Sequence, residues 1–254
     1  MDPSGLSITK PKVHDGSEFD ILKFWKGDTD ASLFLMPFFL TIDIYEMGLY
    51  RVHKDKEGRN SEISIAVRQE IVHATYHRRS FHHFHRHNIK FKYTRRWSRF
   101  LLSGMYKAGV LLDYAGTMEY MMASTVHGGV IRNFEAYKPH LNNPLASLLM
   151  WHCLEEAEHA FCFINSTVLN RSRLTRFMLM SSALAFQTIT LHIFILENRR
   201  LFGWKRYTSI LKSKLQEKLP RSIWNFVFNP ASSEREFMIQ VSQDATRLRR
   251  AAGI

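Results

Sequence analysis

The sequence predicts an all-α protein, a ferritin-like four-helix bundle with additional C-terminal helices. Three observations carry that expectation. Alternating β-branched runs bounded by turns do not recur, so strand signals are scarce. Only 7 Pro and 12 Gly punctuate the 254 residues, which leaves room for long helices. Two segments with helical character repeat one pattern, Glu70-x-x-His73 and Glu156-x-x-His159. Residues at that spacing share a helix face. The length fits one large domain with appendages. Its parts read as a tail over 1–30, a di-metal helical domain over 31–220 and an extension over 221–254.

Pro3, Gly5, Pro11, Gly16 and Gly27 interrupt the tail, where no periodicity appears. Ala31 to Lys54 is apolar nearly all round, as a buried helix is, with Pro37 near its start. Its acids are Asp43 and Glu46. Burying either is costly unless it is paired or metal-bound. Asp55 to Asn60 reads as a charged loop. A second helix, Ser61 to His87, sets Glu70, His73 and His77 on one stripe. His82, His83, His85 and His87 spread around it and are expected to face solvent or substrate. Lys90 to Arg99 mixes basic and aromatic residues. It reads as a solvated loop, with contact to a single strand of nucleic acid or to a membrane as alternatives.

A third long helix is expected over Ser98 to Ala136, bent at Gly128-Gly129. It carries Asp113 and Glu119, and small residues precede Glu119. After a Pro-bounded loop, Leu145 to Val168 forms the fourth helix. There His152, Glu156 and His159 share a stripe, Glu155 lies one residue off it and Glu158 points elsewhere. Phe177 to Leu196 has no Lys, Arg, Asp or Glu, over the length of a membrane span. Its Ser, Thr and Gln residues favour a helix buried against the bundle, with lipid contact second and a true span third. Trp204 to Leu219 reads as a basic amphipathic helix, Trp224 to Pro230 as irregular, and 233–252 as a last helix behind the cap Ser232-Ser233.

Hydrophobic content of 45% and charged content of 23% are ordinary for a globular chain. The net charge of +12 is not, and it suits an anionic partner. Cys153 and Cys162 match no zinc or redox spacing, and no disulfide framework exists. Met1 to Asp20 lacks the apolar core of a signal peptide. These features place the chain in the cytoplasm, with the inner face of the membrane as a peripheral location.

Four helices carrying Glu, Glu-x-x-His, Glu and Glu-x-x-His form a di-metal carboxylate pattern. The expected ligands are Glu46, Glu70, His73, Glu119, Glu156 and His159. Four carboxylates balance two divalent cations, and oxygen-rich ligation with two imidazoles suits iron or manganese better than zinc. His77 and His152 read as donors that orient a ligand, or as extra ligands, with Glu155 beside them. Two irons are therefore the first cofactor reading, with manganese, a mixed Mn/Fe pair and zinc as alternatives. The first functional reading is a non-haem di-iron enzyme that activates O2 to oxidise a small hydrophobic or amphipathic substrate. The alternative is a di-metal hydrolase on the same ligands. A third is a non-enzymatic basic protein bound to membrane or nucleic acid. The partners these readings call for are the small-molecule substrate, an electron donor, an anionic membrane surface and further copies of the chain.

Gln69-Glu70-x-x-His73-x-x-x-His77, Thr117-Met118-Glu119 and Trp151-His152-x-x-Glu155-Glu156-x-Glu158-His159 resemble a bacterial family labelled "predicted metal-dependent hydrolase". The resemblance covers about residues 30–215 and implies a ferritin-like helical fold. Tyr120 stands where this family tends to have His, and Phe161-Cys162-Phe163 departs from its Phe-Asp pattern. The ligand set also resembles that of di-iron oxidases and ribonucleotide reductase small subunits, which implies O2 chemistry.

Overall fold

The computed structural model describes residues 20–25, 27–55, 62–163, 168–203, 205–206, 208 and 221–252. Among them every regular element is helical, and the all-α expectation holds. The expected loop at 56–60, most of the tail and most of the expected helix 204–219 lie outside the described residues.

α1 (Thr29–Phe39) opens at Asp28, whose carboxylate accepts from the amides of Asp30 and Ala31. Pro37 lies inside it and offers no N–H to the ladder. The Thr41 hydroxyl then takes the Pro37 carbonyl at 2.8 Å, and the chain restarts as α2 (Ile42–Asp55). The single helix expected over 31–54 is therefore two. The expected helix 61–87 is also two, α3 (Glu62–Arg79) and α4 (Phe81–Arg86), parted at Ser80. On α4 the histidines His82 and His85, and His87 just beyond it, face solvent as expected, while Phe84 anchors the element in the core.

Two further expectations change. Lys90 to Arg99 is not a loop: α5 spans Lys92–Lys107. Phe91 has no side chain that could cap it. Glu197, from far along the chain, accepts instead from the amides of Tyr93 and Thr94 at 3.0 and 3.1 Å and from the Thr94 hydroxyl at 2.9 Å. An anion at a helix N-terminus satisfies orphan amides and the dipole together. The helix expected over 98–136 breaks at Gly109, whose φ of +69° favours glycine, and restarts as α6 (Leu111–Thr125). The Gly128-Gly129 bend lies in a π-helical turn over Val126–Val130.

After the short α7 (Phe134–Tyr137) comes α8 (Pro144–Phe163), with the Asn143 side chain accepting from Leu145 N at 2.9 Å. α9 (Arg173–Glu197) is capped by Ser172 and followed by α10 (Arg199–Phe202). The stretch expected to be irregular, Trp224 to Pro230, is helical as far as Phe228, in α11 (Arg221–Phe228), and α12 (Ala231–Ala252) ends the described chain.

α2 packs on α3, α3 on α8, α8 on α6 and α6 on α2, which closes a four-helix ring. α12 lies along α8, and α5 packs beside α9. One core runs through Phe39, Phe84, Tyr120, Trp151, Phe194, Phe226 and Met238. Helices α11 and α12 of the C-terminal extension thus share the core of the helices before them. α9 departs from the buried helix expected of it. Met180, Ala183, Phe186, Leu191 and Phe194 face the core, but Leu174, Met178, Ile189 and Leu196 face outward. By length and composition, α9 and the Thr29–Arg51 stretch are apolar enough to cross a membrane. The apolar part of Thr29–Arg51 is 61% buried and that of α9 39%, so the first is accounted for by the core and the second is not.

Candidate metal centre

The ring α2–α3–α8–α6 turns one acidic residue or motif inward from each helix. Glu46 comes from α2, Glu70 and His73 from α3, Glu119 from α6, and His152 and Glu156 from α8. All are buried. Helix periodicity explains the pairs: three residues separate Glu70 from His73, and four separate His152 from Glu156. Trp151 backs the site edge-on, its ring 4.8 Å from that of His73.

The distances define two groups of donors. Glu46, His73, His152 and Glu156 each bring a donor atom within 4.8 Å of the others. Glu70, Glu119 and Glu156 form a second group on the same criterion. Glu156 belongs to both. His73 Nδ1 lies 2.9 Å from Glu156 Oε1, 3.6 Å from Glu70 Oε2 and 3.7 Å from Glu46 Oε1. His152 lies 3.5 Å from both Glu46 and Glu156, and His77 Nε2 meets His152 Nδ1 at 3.3 Å. Tyr45 reaches Glu119 at 3.5 Å while donating to the Ala115 carbonyl.

Five of the six expected ligands fall within these groups. The sixth, His159, belongs to neither. Its ring stacks at 6.3 Å over that of His73, and its Nε2 lies 3.9 Å from Glu155. His152, expected as an orienting donor, takes the ligand-distance position. His77 stands behind it, as expected of such a donor. Glu155 is outside both groups, and a guanidinium from α12 explains why: Arg249 binds Glu155, and its Nη2 lies 3.1 Å from Glu158. Spacing alone offered no sign of Arg249. Tyr120, where the resemblance leads one to expect His, turns away from the acids and donates to Glu234 at 2.5 Å.

The electrostatics are those of a site built for added positive charge. Among the described residues, both oxygens of Glu46 and Oε2 of Glu119 are buried without a hydrogen-bond partner, and those of Glu70 and Oε1 of Glu156 make no well-aligned hydrogen bond and meet only the His73 and His152 rings. Such groups are rare in folded proteins and call for an explanation. Burial, with the surrounding carboxylates, pushes Glu46 and Glu119 well above the usual carboxylate range and Glu70 up to about 7. Burial opposes ionisation of Glu156 too, but a hydrogen bond with Glu119 and the imidazoles of His152 and His73 hold it ionised. Burial also disfavours charge on His73, yet its bonds to Glu156 and Glu70 overcome this and raise its pKa. Burial lowers His152 well below the usual range, His77 to about 3 and His159 to about 4. All three are neutral imidazoles at neutral pH, the form that donates a lone pair to a metal. One or two divalent cations would satisfy the orphan oxygens and ionise the raised acids together.

A family model described as "predicted metal-dependent hydrolase" matches residues 40–234. The chain belongs to that family. No curated protein and no solved structure matches it. The span shared with the family takes in all nine residues singled out from the sequence around the centre, Glu46 through His159. Arg249 lies beyond it.

Proposed function

We propose that the chain is a metal-dependent hydrolase with a two-metal centre. Family membership supports hydrolysis, and the single observation that carries the two-metal reading is the sharing of Glu156 between two donor groups. Glu46, His73 and His152 would hold one ion, Glu70 and Glu119 the other, and Glu156 would bridge. Four carboxylates then balance two divalent cations, which makes the buried site electrically neutral. When bound, such a pair supplies a water nucleophile at neutral pH and polarises the bond to be cleaved.

The chain's own residues perform the rest. His77 fixes the ring orientation of His152 through the contact between their nitrogens. Arg249 holds Glu155 and Glu158 away from the donor groups, so neither acid competes for the ions. His159 is neutral, Nδ1 has no partner, and the ring is one helical turn from Glu156. It is our choice for the group that orients the nucleophile, through a hydrogen bond accepted by the neutral ring. Tyr45, Tyr114 and the apolar wall of the ring exclude bulk water, and they suit a substrate with an apolar portion.

An O2-activating di-iron enzyme would use the same donors, so the test separates the two. Metal-free protein is loaded with zinc or manganese under anaerobic conditions and assayed against a panel of ester, amide and phosphoester substrates. Turnover without O2 is expected. Turnover that requires both iron and O2 would replace hydrolysis with oxidation. His159→Gln is expected to keep its metal and lose turnover, whereas His152→Ala is expected to lose metal.

A further inference from the structure

The exposed side of α9 is hard to reconcile with water as its only neighbour. A surface helix normally turns charged residues outward. From Phe177 to Leu196 this one has no Lys, Arg, Asp or Glu. Its outward residues include Leu174, 68% exposed, Met178, 61%, and Leu196, 60%, with Phe177 and Ile189 between them. At the first end of α9, the buried Arg176 binds the Phe226 carbonyl at 2.6 Å. This brings in α11, where Trp224 and Phe228 stack on each other, both about half exposed. Large apolar side chains are therefore exposed on two neighbouring elements, with Ser181, Ser182 and Thr188 exposed among them along α9.

Basic charge borders the apolar stripe. α5 runs antiparallel to α9: Arg171 before α9 binds Asp113 beyond the end of α5 at 2.8 Å, and Glu197 at the end of α9 caps the start of α5. α5 carries five basic residues and no acid. Where the two helices meet α10, a groove of about 1250 Å3 is lined by Lys90, Lys92, Arg99, Arg199 and Arg200. Its one carboxylate, Glu197, is engaged by the α5 amides. Tyr93 and Leu196 line the same groove and are each 60% exposed. Cation and apolar surface thus share one face. The groove shares no residue with the metal centre.

We infer that this face docks on an anionic lipid bilayer, with the α9 stripe at the headgroup–acyl boundary and the groove's basic residues on lipid phosphates. A helix with an apolar face and basic flanks lies in the interface plane in this way, and each Lys or Arg near an anionic surface adds attraction. Two other occupants fit less well. A second copy of the chain would set like-charged grooves near each other. Nucleic acid would satisfy the cations and leave Leu174, Met178 and Ile189 in water.

The test is co-sedimentation of the full chain with vesicles of phosphatidylcholine alone or mixed with phosphatidylglycerol. Binding is expected to the mixed vesicles, to weaken with salt, and to be absent from the neutral ones. Replacing Arg199 and Arg200 together by Ala should weaken binding roughly thirty-fold. Both are exposed on a short helix away from the core, so the fold is not at stake. Met178→Asp with Ile189→Asp should abolish binding with the helical melting curve unchanged. The inference is overturned if the anionic vesicles leave the protein in solution, or if neither pair of substitutions changes binding. It is also overturned if the aspartates instead split a dimer seen by ultracentrifugation. Retention on single-stranded DNA that survives the aspartates, with no vesicle binding, would likewise overturn it in favour of nucleic acid.

Discussion

Two kinds of buried acid stand side by side on the same helices. On α2, Asp43 and Glu46 are three residues apart and both buried. Asp43 takes Arg95 through two bonds, at 2.5 and 2.9 Å, and Arg78 at 2.8 Å. Neither oxygen of Glu46 has a hydrogen-bond partner. On α8, Glu155 and Glu158 are bound by Arg249, while Glu156 between them faces His73, His152 and other acids. The difference lies in where the counter-charge comes from. Where a carboxylate serves the fold, the chain supplies a guanidinium. Where it does not, no guanidinium reaches it among the described residues, and the proposed cations would supply the charge. That contrast, more than the abundance of Glu and His, sets the centre apart from an ordinary ion-pair network.

The largest expected effect tests the shared position. Glu156→Gln should lower affinity at both metal positions by at least about a hundredfold, since even outer partners of a ligand cost ten- to a hundredfold. Glu155→Gln, one residue earlier, should leave metal stoichiometry unchanged. Metal analysis after dialysis reads both. Two ions retained in Glu156→Gln would remove it from the bridging role.

The arginine-paired acids should respond in stability instead. Arg95→Ala leaves Asp43 buried beside only the half-exposed Arg78, and breaking such a pair costs about 3–5 kcal/mol. In a domain of this size the melting temperature should fall by roughly 10 °C, with metal stoichiometry of the folded protein unchanged. Melting in chelator and metal analysis check the two halves. An unchanged melting point would mean that Asp43 is no more dependent on its arginine than Glu46 is.

Glu46→Gln should have the opposite sign. In the metal-free protein it removes an acid that burial holds in its neutral form against its preference. A gain of about 1–2 kcal/mol is expected, as when strain held for function is relieved, together with weaker metal binding. Denaturant melts in chelator and a metal titration test it. A loss of stability would place Glu46 with Asp43 and erase the distinction.

How much of this was legible follows from the range of each interaction. Glu70 with His73, and His152 with Glu156, are legible because helix geometry joins residues three or four apart. The four-helix origin of the acids was legible for the same reason. The choice between His152 and His159 was not. Both share a stripe with Glu156, one turn before it and one turn after. The packing of α8 against α2 and α3 decides, by bringing Glu46 and His77 to His152. The pairing of Glu155 with Arg249, 94 residues later, and the capping of α5 by Glu197, more than 100 residues away, follow no local rule. That cap is also why a basic stretch that reads as loop becomes a helix. The break at Gly109 is hidden for a different reason: apolar periodicity runs through it, and only the positive φ marks the turn.

The last test is the pH dependence, where the groups of the centre pull in different directions. His77, His152 and His159 have lowered pKa values in the folded chain. The unfolded chain therefore binds more protons below about 6.5, and their contribution makes stability rise with pH up to that point and then level off. Glu46, Glu119 and His73 have raised values. The folded chain keeps their protons after the unfolded chain has lost them, so stability falls as pH rises until the folded groups ionise. Glu70, raised to about 7, adds a fall between about 4.5 and 7 that is complete just above neutrality. The window that isolates the raised groups is thus above pH 6.5. There the metal-free protein should lose about 1.4 kcal/mol per pH unit for each extra proton it holds. Bound cations displace those protons, so the metal-loaded protein should show no such fall, and stabilisation by metal should grow from pH 6.5 to 8. Paired melts in chelator and in excess metal across that range measure the difference. Parallel curves would show that the orphan acids do not take up the added charge.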